Sequence, residues 1–317
     1  MNGMRLDERL ALAVVGPPME HDDARIRKAV DGKVVVVTGA SFGQGEATAR
    51  LLAANGAIVV MAARTRPRLA EVAAEIRAAG GRAHAYPLDL VNPDAVDRFA
   101  ARVLDDHGRV DVLIHNAGKS LRRSVFRSAL RPQDMESMVG VNFLGPMRLT
   151  LALLPAMRDG GGAHIVNIAS AGVQMPTAPR WGFYIACKDG FDRWLRSVAM
   201  ESKRYGITVT SLYAGHIKSR MVATGWVAMS PGHTPEQAAR TVAYAITRRP
   251  RTMQPRGFTA LNVARTALAA PLEVVLSIFD GRAGETAASE AAFAAAMAGR
   301  GADPASGGTA TGDRADS

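Results

Sequence analysis

The chain has 317 residues, a formal net charge of +10, 48% hydrophobic residues and one cysteine. This length and apolar content predict a globular body large enough for one elaborated α/β domain. The single Cys187 excludes an internal disulfide and the usual zinc clusters, so we predict no metal site. Aromatic residues make up only 5% and the basic residues are scattered, so we expect no nucleic-acid partner and assign part of the charge to a phosphate-bearing cofactor or substrate.

Residues 1–31 are predicted to form a helical N-terminal extension. Its apolar stretch LALAVVG (10–16) follows Asp7 and Glu8 and ends in Pro17 and Pro18. This pattern favours a helix over a secretory signal. The chain contains no run of about 18 uncharged apolar residues, the length that spans a bilayer. We therefore expect a cytoplasmic protein.

From residue 32, short apolar runs alternate with longer amphipathic ones. The apolar runs are KVVVVTG (33–39), AIVVMAA (57–63), HAYPLDL (84–90), DVLIHNAG (111–118), HIVNIAS (164–170) and ITVTSLY (207–213). Nearly continuous apolar character is typical of strands buried on both faces of a parallel sheet, and the runs between them have helical periodicity. The predicted fold is therefore α/β, a doubly wound, Rossmann-like parallel sheet in one domain over 32–256.

The chain beyond this domain changes in character. Residues 248–256 are predicted to supply a short last strand, and 257–299 a C-terminal helical extension whose segment 258–280 is strongly apolar and is kinked by Pro271. Residues 300–317 have the composition of a disordered tail.

A glycine-rich loop follows the first predicted strand. Gly39, Gly43 and Gly45 stand between that strand and a helix, with Ser41 and Phe42 among them. Glycine lets the backbone adopt positive φ and lets a pyrophosphate approach main-chain N–H groups at a helix N-terminus. We predict that this loop binds a dinucleotide; the alternative is a tight strand-to-helix turn with no ligand.

The end of the second strand indicates which dinucleotide. An acidic residue there holds the ribose 2′-hydroxyl of NAD, whereas an arginine accommodates the 2′-phosphate of NADP. This chain has Arg64, followed by Arg66 and Arg68, so NADP is favoured over a solvated arginine loop without a ligand. Asp89, after the third strand, either contacts the adenine or caps the following turn.

Tyr184 and Lys188 lie four residues apart in FYIACKDG (183–190). On a helix this spacing places both side chains on one face, and a cation beside a phenol favours its ionised form. The pair is compatible with proton transfer, although the same spacing also arises in helices where it has no catalytic meaning.

Together these pieces resemble the short-chain dehydrogenase/reductase family over residues 32–256, in a branch with an apolar C-terminal helical extension. The resemblance is based on six motifs in order: TGASFGQG (38–45), Asp89, HNAG (115–118), Asn142, Ser170 and the YIACK pentapeptide (184–188). The chain departs from the family pattern at Gln44, at Ala214-Gly215 and at Ser219.

The resemblance implies a role for each matched residue. Tyr184 would be the acid/base, Lys188 would lower its pKa and bind the nicotinamide ribose, Ser170 would orient the substrate oxygen, and Asn142 would hold a water that links Lys188 to solvent. The cofactor contacts that it implies, besides the glycine-rich loop, Arg64, Asp89, Tyr184 and Lys188, are Leu90, Asn116, Ala117, Gly118, Gly215, Ile217 and Ser219.

The resulting hypothesis is an NAD(P)-dependent oxidoreductase of lipid metabolism, with NADP favoured, that acts on an apolar ketone, aldehyde or secondary alcohol. The competing hypothesis is a dinucleotide-binding regulator or scaffold without enzymatic activity. Segment 258–280 would contact a membrane surface, form a dimer contact or cover the site. By resemblance we expect a homo-oligomer built on helices over 132–159 and 182–204.

Overall fold

The computed structural model describes residues 16–174, 179–218, 232–254 and 287–301. Within them, seven parallel strands form one sheet in the order β3-β2-β1-β4-β5-β6-β7, which confirms the predicted fold. The strands are β1 Val34–Thr38, β2 Ile58–Ala63, β3 Arg82–Pro87, β4 Val112–His115, β5 His164–Ser170, β6 Thr208–Ala214 and β7 Thr252–Met253. Two strands differ notably from their predicted ranges: β3 begins two residues earlier and ends three residues earlier, and β4 ends three residues earlier.

Helices cover both faces of this sheet. In the described residues they are α1 Asp23–Val30, α2 Gly43–Ala54, α3 Arg66–Ala78, α4 Pro93–His107, α5 Val125–Ser128, α6 Pro132–Val139, α7 Gly145–Asp159, α8 Gly182–Ser202, α9 Pro235–Arg248 and α10 Ala287–Gly301. Alternate residues of β1 enter two separate cores: Val35 and Val37 pack with α1, α2, α3 and α9, and Val34 and Val36 with α4, α7 and α8. Because both faces are covered, the central strands β1, β2 and β4 are mostly apolar. The edge strand β3 instead carries the exposed Arg82 and His84.

The helical run over 132–159 is interrupted by a π-turn, Gly140–Leu144. Pro146 has no N–H and cannot donate to the carbonyl of residue 142, so a regular α-helix is broken at this point. A side chain at Gly145 would clash with the Leu90 carbonyl. The glycine therefore lets the widened turn lie against the end of the third βα loop, beside the carboxyl edge of the sheet.

Among the described residues, this same run, Pro132–Asp159, has the length and apolarity to cross a bilayer. Within its most apolar window 44% of the residues are buried, and Leu149, Leu153 and Met157 belong to the core under β1 and β4. Core packing therefore accounts for the apolar composition of this helix.

The described part of the N-terminal extension packs on the domain. Ile26 and Val30 of α1 are fully buried, and the Glu20 carboxylate pairs with Arg25 at 3.2 Å. The Glu20 amide also donates to the Arg240 carbonyl of α9 at 3.0 Å. The predictions for residues 258–280 and for 302–317 lie outside the described residues.

Candidate active site

The sheet reverses its winding between β1 and β4, and the glycine-rich loop leaves β1 at this switch point. Gly39 and Gly43 have φ of 69° and 58°, values that only glycine adopts without strain. A Cβ at Gly45 would clash with the Gly39 carbonyl. Phe42, the N-cap of α2, supplies no side-chain hydrogen bond to the helix. The first N–H groups of α2 are thus open to an anionic ligand.

Thr38 and Asn116 fasten this loop to the end of β4. The Thr38 hydroxyl accepts from the amides of Asn116 and Ala117, both at 3.0 Å, and donates to the Ile114 carbonyl at 3.1 Å. The Asn116 side chain donates to the Thr38 carbonyl at 2.9 Å and to the Gly39 carbonyl at 3.3 Å. The predicted residues Asn116 and Ala117 therefore support the loop from behind.

Three arginines follow β2, and they differ in their partners. Arg68 pairs with Glu46 at 2.7 Å and with Glu71 at 2.9 Å, and its guanidinium lies 5.9 Å from the Phe42 ring centre. Arg64 and Arg66 are exposed, and within the described chain neither forms an ion pair. Arg68 thus braces the loop, while Arg64 and Arg66 keep their charges available.

Asp89 and Leu90 lie at the neighbouring edge, after β3. The Asp89 carboxylate accepts from the Val91 amide at 3.0 Å, which closes the turn before α4. Leu90 is 7% exposed and packs in the core beside α4. The geometry thus gives Asp89 a capping role, one of its two predicted alternatives.

Ser170 and Tyr184 meet on the other side of the switch point. Ser170 ends β5 and accepts from the Gly172 amide at 3.1 Å. Tyr184 lies in the first turn of α8. Burial raises the pKa of the Tyr184 phenol, and a hydrogen bond with the Ser170 hydroxyl lowers it in opposition. The structure therefore brings the two predicted residues into direct contact.

Lys188 lies one helical turn further along α8 and is 6% exposed. Its ammonium donates to the Ile168 carbonyl of β5 at 3.0 Å. Burial lowers the pKa of Lys188 to about 8, partly offset by the charges of Cys187 and Asp192. The ammonium is therefore a desolvated charge that gives up its proton more readily than a surface lysine.

Asn142 reaches the same place from the π-turn and is 1% exposed. Its amide donates to the Lys119 carbonyl at 2.8 Å, and its oxygen accepts from the Lys119 amide at 3.0 Å. A Cβ at Gly118 would lie 3.2 Å from the Asn142 oxygen and 3.5 Å from the Lys188 ammonium. Because Gly118 has no side chain, the Asn142 and Lys188 side chains can both lie close to its backbone.

The last predicted contacts follow β6. Gly215 is exposed, and Ile217 forms a bridge with His233. Both line a small cavity together with Gln44, which is 8% exposed. The departure from the family pattern at Gln44 therefore affects packing below the glycine-rich loop. Ser219 lies outside the described residues.

The chain is similar to known proteins in both sequence and structure. A family model described as short chain dehydrogenase matches residues 33–227. The chain belongs to the short-chain dehydrogenase family. It is an NAD(P)-dependent oxidoreductase by that membership, as predicted.

Individual relatives are similar over most of the chain. A fatty acyl-CoA reductase of Acinetobacter baylyi is 39% identical over 72% of this chain and 78% of that protein. A fatty acyl-CoA reductase of Mycobacterium tuberculosis is 33% identical over 81% of this chain and 90% of that protein. The crystal structure of a metagenomic short-chain oxidoreductase in complex with NADP has a TM-score of 0.60 and 35% identity, over 69% of this chain and 92% of that one.

The residues present fit the dinucleotide that this family uses. The loop at Gly39, Gly43 and Gly45 offers backbone N–H groups in a space that a single Cβ would fill, and α2 begins without a side-chain cap. Lys188 and Tyr184 stand across the switch point from that loop. A dinucleotide laid along the carboxyl edge would thus meet donors at both ends.

Sequence reasoning missed several residues that build this dehydrogenase site. Thr38 organises the loop through three hydrogen bonds, and its only sequence signal is its place directly before Gly39. His115 precedes Asn116 and is 3% exposed; its Nε2 lies 2.8 Å from the Thr150 hydroxyl. Burial, and secondarily the charge of Lys188, lower the pKa of His115 to about 3. His115 is therefore a neutral side chain beside Lys188.

Proposed function

We propose that this dehydrogenase uses NADPH to reduce the carbonyl carbon of a long apolar acyl group, with fatty aldehydes and fatty acyl thioesters as the first substrates to test. The observation that carries the hydride-transfer part is the convergence of Tyr184, Ser170, Lys188 and Asn142 beside the glycine-rich loop. The acyl part is supported by the two fatty acyl-CoA reductases among the relatives.

When bound, the nicotinamide supplies the hydride that the substrate carbonyl carbon accepts. Tyr184 then donates its phenolic proton to the carbonyl oxygen, and the Ser170 hydroxyl holds that oxygen in place as negative charge develops on it. Lys188 would hold the nicotinamide ribose, and its charge would stabilise the phenolate that remains after the proton has left. Asn142, which is held by the main chain at Lys119, would position a water that links Lys188 to solvent, so that the phenolate regains a proton.

The products follow from atom balance. An aldehyde takes up one hydride and one proton and becomes a primary alcohol. A thioester takes up one hydride and one proton, its carbon–sulfur bond breaks, and it yields an aldehyde and a free thiol. In both reactions Tyr184 would protonate the carbonyl oxygen, the atom that gains negative charge. In the thioester reaction the resulting hydroxyl would then give up its proton to the departing sulfur as the carbon–sulfur bond breaks.

A group of arginines beside the start of α8 supports a substrate with a phosphate-bearing carrier. The Arg122 guanidinium lies 5.5 Å from the Trp181 ring centre, and the Arg123 amide donates to the Arg180 carbonyl at 2.9 Å. Trp181 is the N-cap of α8, three residues before Tyr184. Phosphates of a coenzyme A carrier are the anions that such guanidinium groups bind well.

Ion pairs join several arginines near Trp181 to two carboxylates. Asp134 pairs with Arg123 at 3.1 Å and with Arg131 at 3.2 Å, and Glu290 of α10 pairs with Arg127 at 3.0 Å.

NADP preference is proposed from Arg64. Its charge follows β2 at the position where a 2′-phosphate would lie, and within the described residues it forms no ion pair. The test is a fluorescence titration of wild type and Arg64→Asp with NADPH and NADH. We expect the substitution to weaken NADPH binding by roughly 100-fold and to leave NADH binding within about threefold, because an acid repels the phosphate and accepts from a ribose hydroxyl.

Arg98→Asp is the matched control, because Arg98 is an exposed arginine on α4 and undergoes the same change of charge. Equal NADPH affinity in Arg64→Asp and Arg98→Asp would overturn the NADP proposal. Turnover is then measured with NADPH on fatty aldehydes and acyl thioesters of increasing chain length. A dinucleotide-binding protein that gives no turnover, and whose cofactor affinity Tyr184→Phe does not change, would favour the regulator hypothesis.

The remaining parts of the sequence hypothesis also stay proposals. Division of the chain at 31, 256 and 299, membrane contact through 258–280, and assembly through 132–159 and 182–204 are each open to test by truncation, vesicle flotation and sedimentation.

A further inference from the structure

A buried carboxylate lies behind Lys188, away from the reacting groups. Asp192 is one helical turn after Lys188 on α8 and is completely buried. One of its oxygens accepts from the Asn167 amide at 3.0 Å, and the other accepts from the Tyr213 hydroxyl at 2.8 Å. The Arg196 guanidinium approaches the second oxygen at 3.3 Å. None of the steps of hydride and proton transfer uses this group.

Burial of a carboxylate at this position costs free energy of folding. Removal of a charge from water costs several kcal/mol, and well-packed apolar residues are often as stable as a buried ion pair. Asn167 is also fully buried, and its own side-chain oxygen has no hydrogen-bond partner among the described residues. Burial of Asp192 and Asn167 therefore lowers the stability of the fold and places a negative charge at this point.

The carboxylate and Lys188 are tied to consecutive residues of one strand. Asn167 of β5 donates to Asp192, and the carbonyl of the next residue, Ile168, accepts from the Lys188 ammonium at 3.0 Å. These two hydrogen bonds fix the position of α8 against β5 where Lys188 must reach the site. Loss of the Asp192 attachment would free the helix turn that carries Lys188.

The charge environment of Lys188 makes a negative group valuable. The ionisable groups around it in the described chain, on α8, β4, β6 and the loop after β4, are His115, Lys119, Tyr184, Cys187, Asp189, Asp192, Arg196 and Tyr213. His115 stays neutral above pH 5 because its pKa is lowered to about 3, and burial raises the pKa of the Cys187 thiol. Asp189 turns outward to Arg193, at 2.8 Å. Asp192 is therefore the buried acid one helical turn from Lys188, and its charge raises the pKa of Lys188.

We propose that Asp192 is a positioning residue that holds α8 in register on β5 and keeps the Lys188 ammonium charged at the pH of catalysis. The inference rests on the proposed function, since it concerns the lysine that would bind the nicotinamide ribose. It assigns to Asp192 a role in setting the charge state of Lys188.

The test is Asp192→Asn, which removes the charge and keeps the shape. The new amide oxygen accepts from Tyr213, and the new amide nitrogen donates to the Asn167 oxygen if the Asn167 amide turns over. A negative charge stabilises an ammonium, so its loss lowers the pKa of Lys188. We expect the alkaline limb of the pH profile of carbonyl reduction to move down by about one unit, which is roughly a tenfold loss of kcat/KM above that limb.

Asp189→Asn is the matched control, because it makes the same change one residue after Lys188 at the surface, where water screens the charge. We expect it to leave the alkaline limb in place. Tyr213→Phe removes one hydrogen bond from Asp192 and keeps the charge, so it should lower the melting temperature without moving the limb. Circular dichroism and melting curves verify that each variant is folded.

The pH dependence of NADPH affinity, followed by fluorescence, is a second measurement that needs no turnover. We expect its alkaline limb to move with Asp192→Asn and to stay with Asp189→Asn. Should Asp192→Asn not fold, Arg196→Ala provides a test of opposite sign: it removes the cation that faces the same carboxylate, and the limb should move to higher pH.

The two proposals fail in different ways. Wild-type protein that binds no NADPH contradicts the proposed function itself. Wild-type protein that binds NADPH, with Asp192→Asn and Asp189→Asn sharing its alkaline limb, overturns the role of Asp192 and leaves the proposed function intact. An unchanged limb in Arg196→Ala, in the case where Asp192→Asn does not fold, overturns it equally.

Discussion

The two halves of the sheet prepare the candidate site by opposite means. Beside β1 and β2 the glycine-rich loop works through missing side chains: Gly39, Gly43 and Gly45 clear space so that backbone N–H groups can be reached. Beside β4, β5 and β6 the chain buries polar side chains instead, among them Asn142 and Lys188. A phosphate needs donors at close range, whereas a proton-transfer site needs ionisable groups in a dry environment.

This difference teaches where each half is vulnerable. The half beside β1 and β2 is sensitive to side-chain volume, since one added methyl group in the glycine-rich loop clashes with tightly packed backbone atoms. The polar half is sensitive to charge, since its groups are desolvated and their ionisation depends on their neighbours. Variants that change volume only, or charge only, should therefore have separate consequences on the two sides.

The largest loss of cofactor affinity is expected from added volume in the loop. Gly45→Ala places a methyl group against the Gly39 carbonyl, so we expect NADPH affinity to fall by roughly 100-fold, equivalent to about 2.7 kcal/mol. Isothermal titration measures this directly. Gly80→Ala is the control, because Gly80 has φ of 84° and an added Cβ there meets nothing within 4 Å. It should cost about 1 kcal/mol of stability through strain and leave NADPH affinity unchanged.

A change of opposite sign, a gain in stability, is expected from removal of the buried charge. Lys188→Met should abolish turnover yet raise the free energy of unfolding at pH 7 by about 3 kcal/mol, because the folded protein holds a lysine whose pKa is about 8 against 10.5 when unfolded. Between these pKa values the unfolded chain binds more protons, so wild-type stability rises with pH. The advantage of the variant should therefore shrink from pH 8 to pH 10.5.

Urea unfolding at pH 7 and pH 10 measures this change. Lys203→Met, at the exposed C-cap of the same helix, is the control and should change stability by less than about 0.5 kcal/mol at either pH. A destabilised Lys188→Met at pH 7 would show that packing of the lysine stem outweighs its desolvation.

The smallest effect is expected at Thr38, which fastens the glycine-rich loop to the end of β4. Thr38→Val keeps the shape and removes the hydroxyl that accepts from Asn116 and Ala117, so two buried N–H groups lose their partner and stability should fall by about 2 kcal/mol. Thr38→Ser retains the hydroxyl and loses only a methyl group, at about 1 kcal/mol. Thermal melts compare the two, and a serine variant as unstable as the valine variant would contradict the hydrogen-bond argument.

Much of the fold could be predicted because its signals are local. The apolar strand runs, the glycines after β1 and the spacing of Tyr184 and Lys188 are patterns within a few neighbouring residues. Even the two-residue strand β7 was predicted within 248–256. The end of β3 was placed too late, because Leu88 and Leu90 are apolar and buried although they lie beyond the strand.

Other features depended on contacts between distant segments. No local pattern marks Thr38 as the acceptor for two amides nearly 80 residues away, nor His115 as a neutral neighbour of Lys188. The π-turn at Asn142 had a local cause in Pro146, but its consequence, the approach to Lys119 and Gly118, required the folded sheet.

The sequence by itself determined the class of fold, the position of the glycine-rich loop and the family, since these depend on residue type and short spacing. The tertiary structure alone decided which arginine after β2 is already paired, how deeply Lys188 is buried, and that Asp192 faces it from behind. The reason is physical: ion pairing and desolvation depend on how much water a group retains, and that is set by every element packed around it.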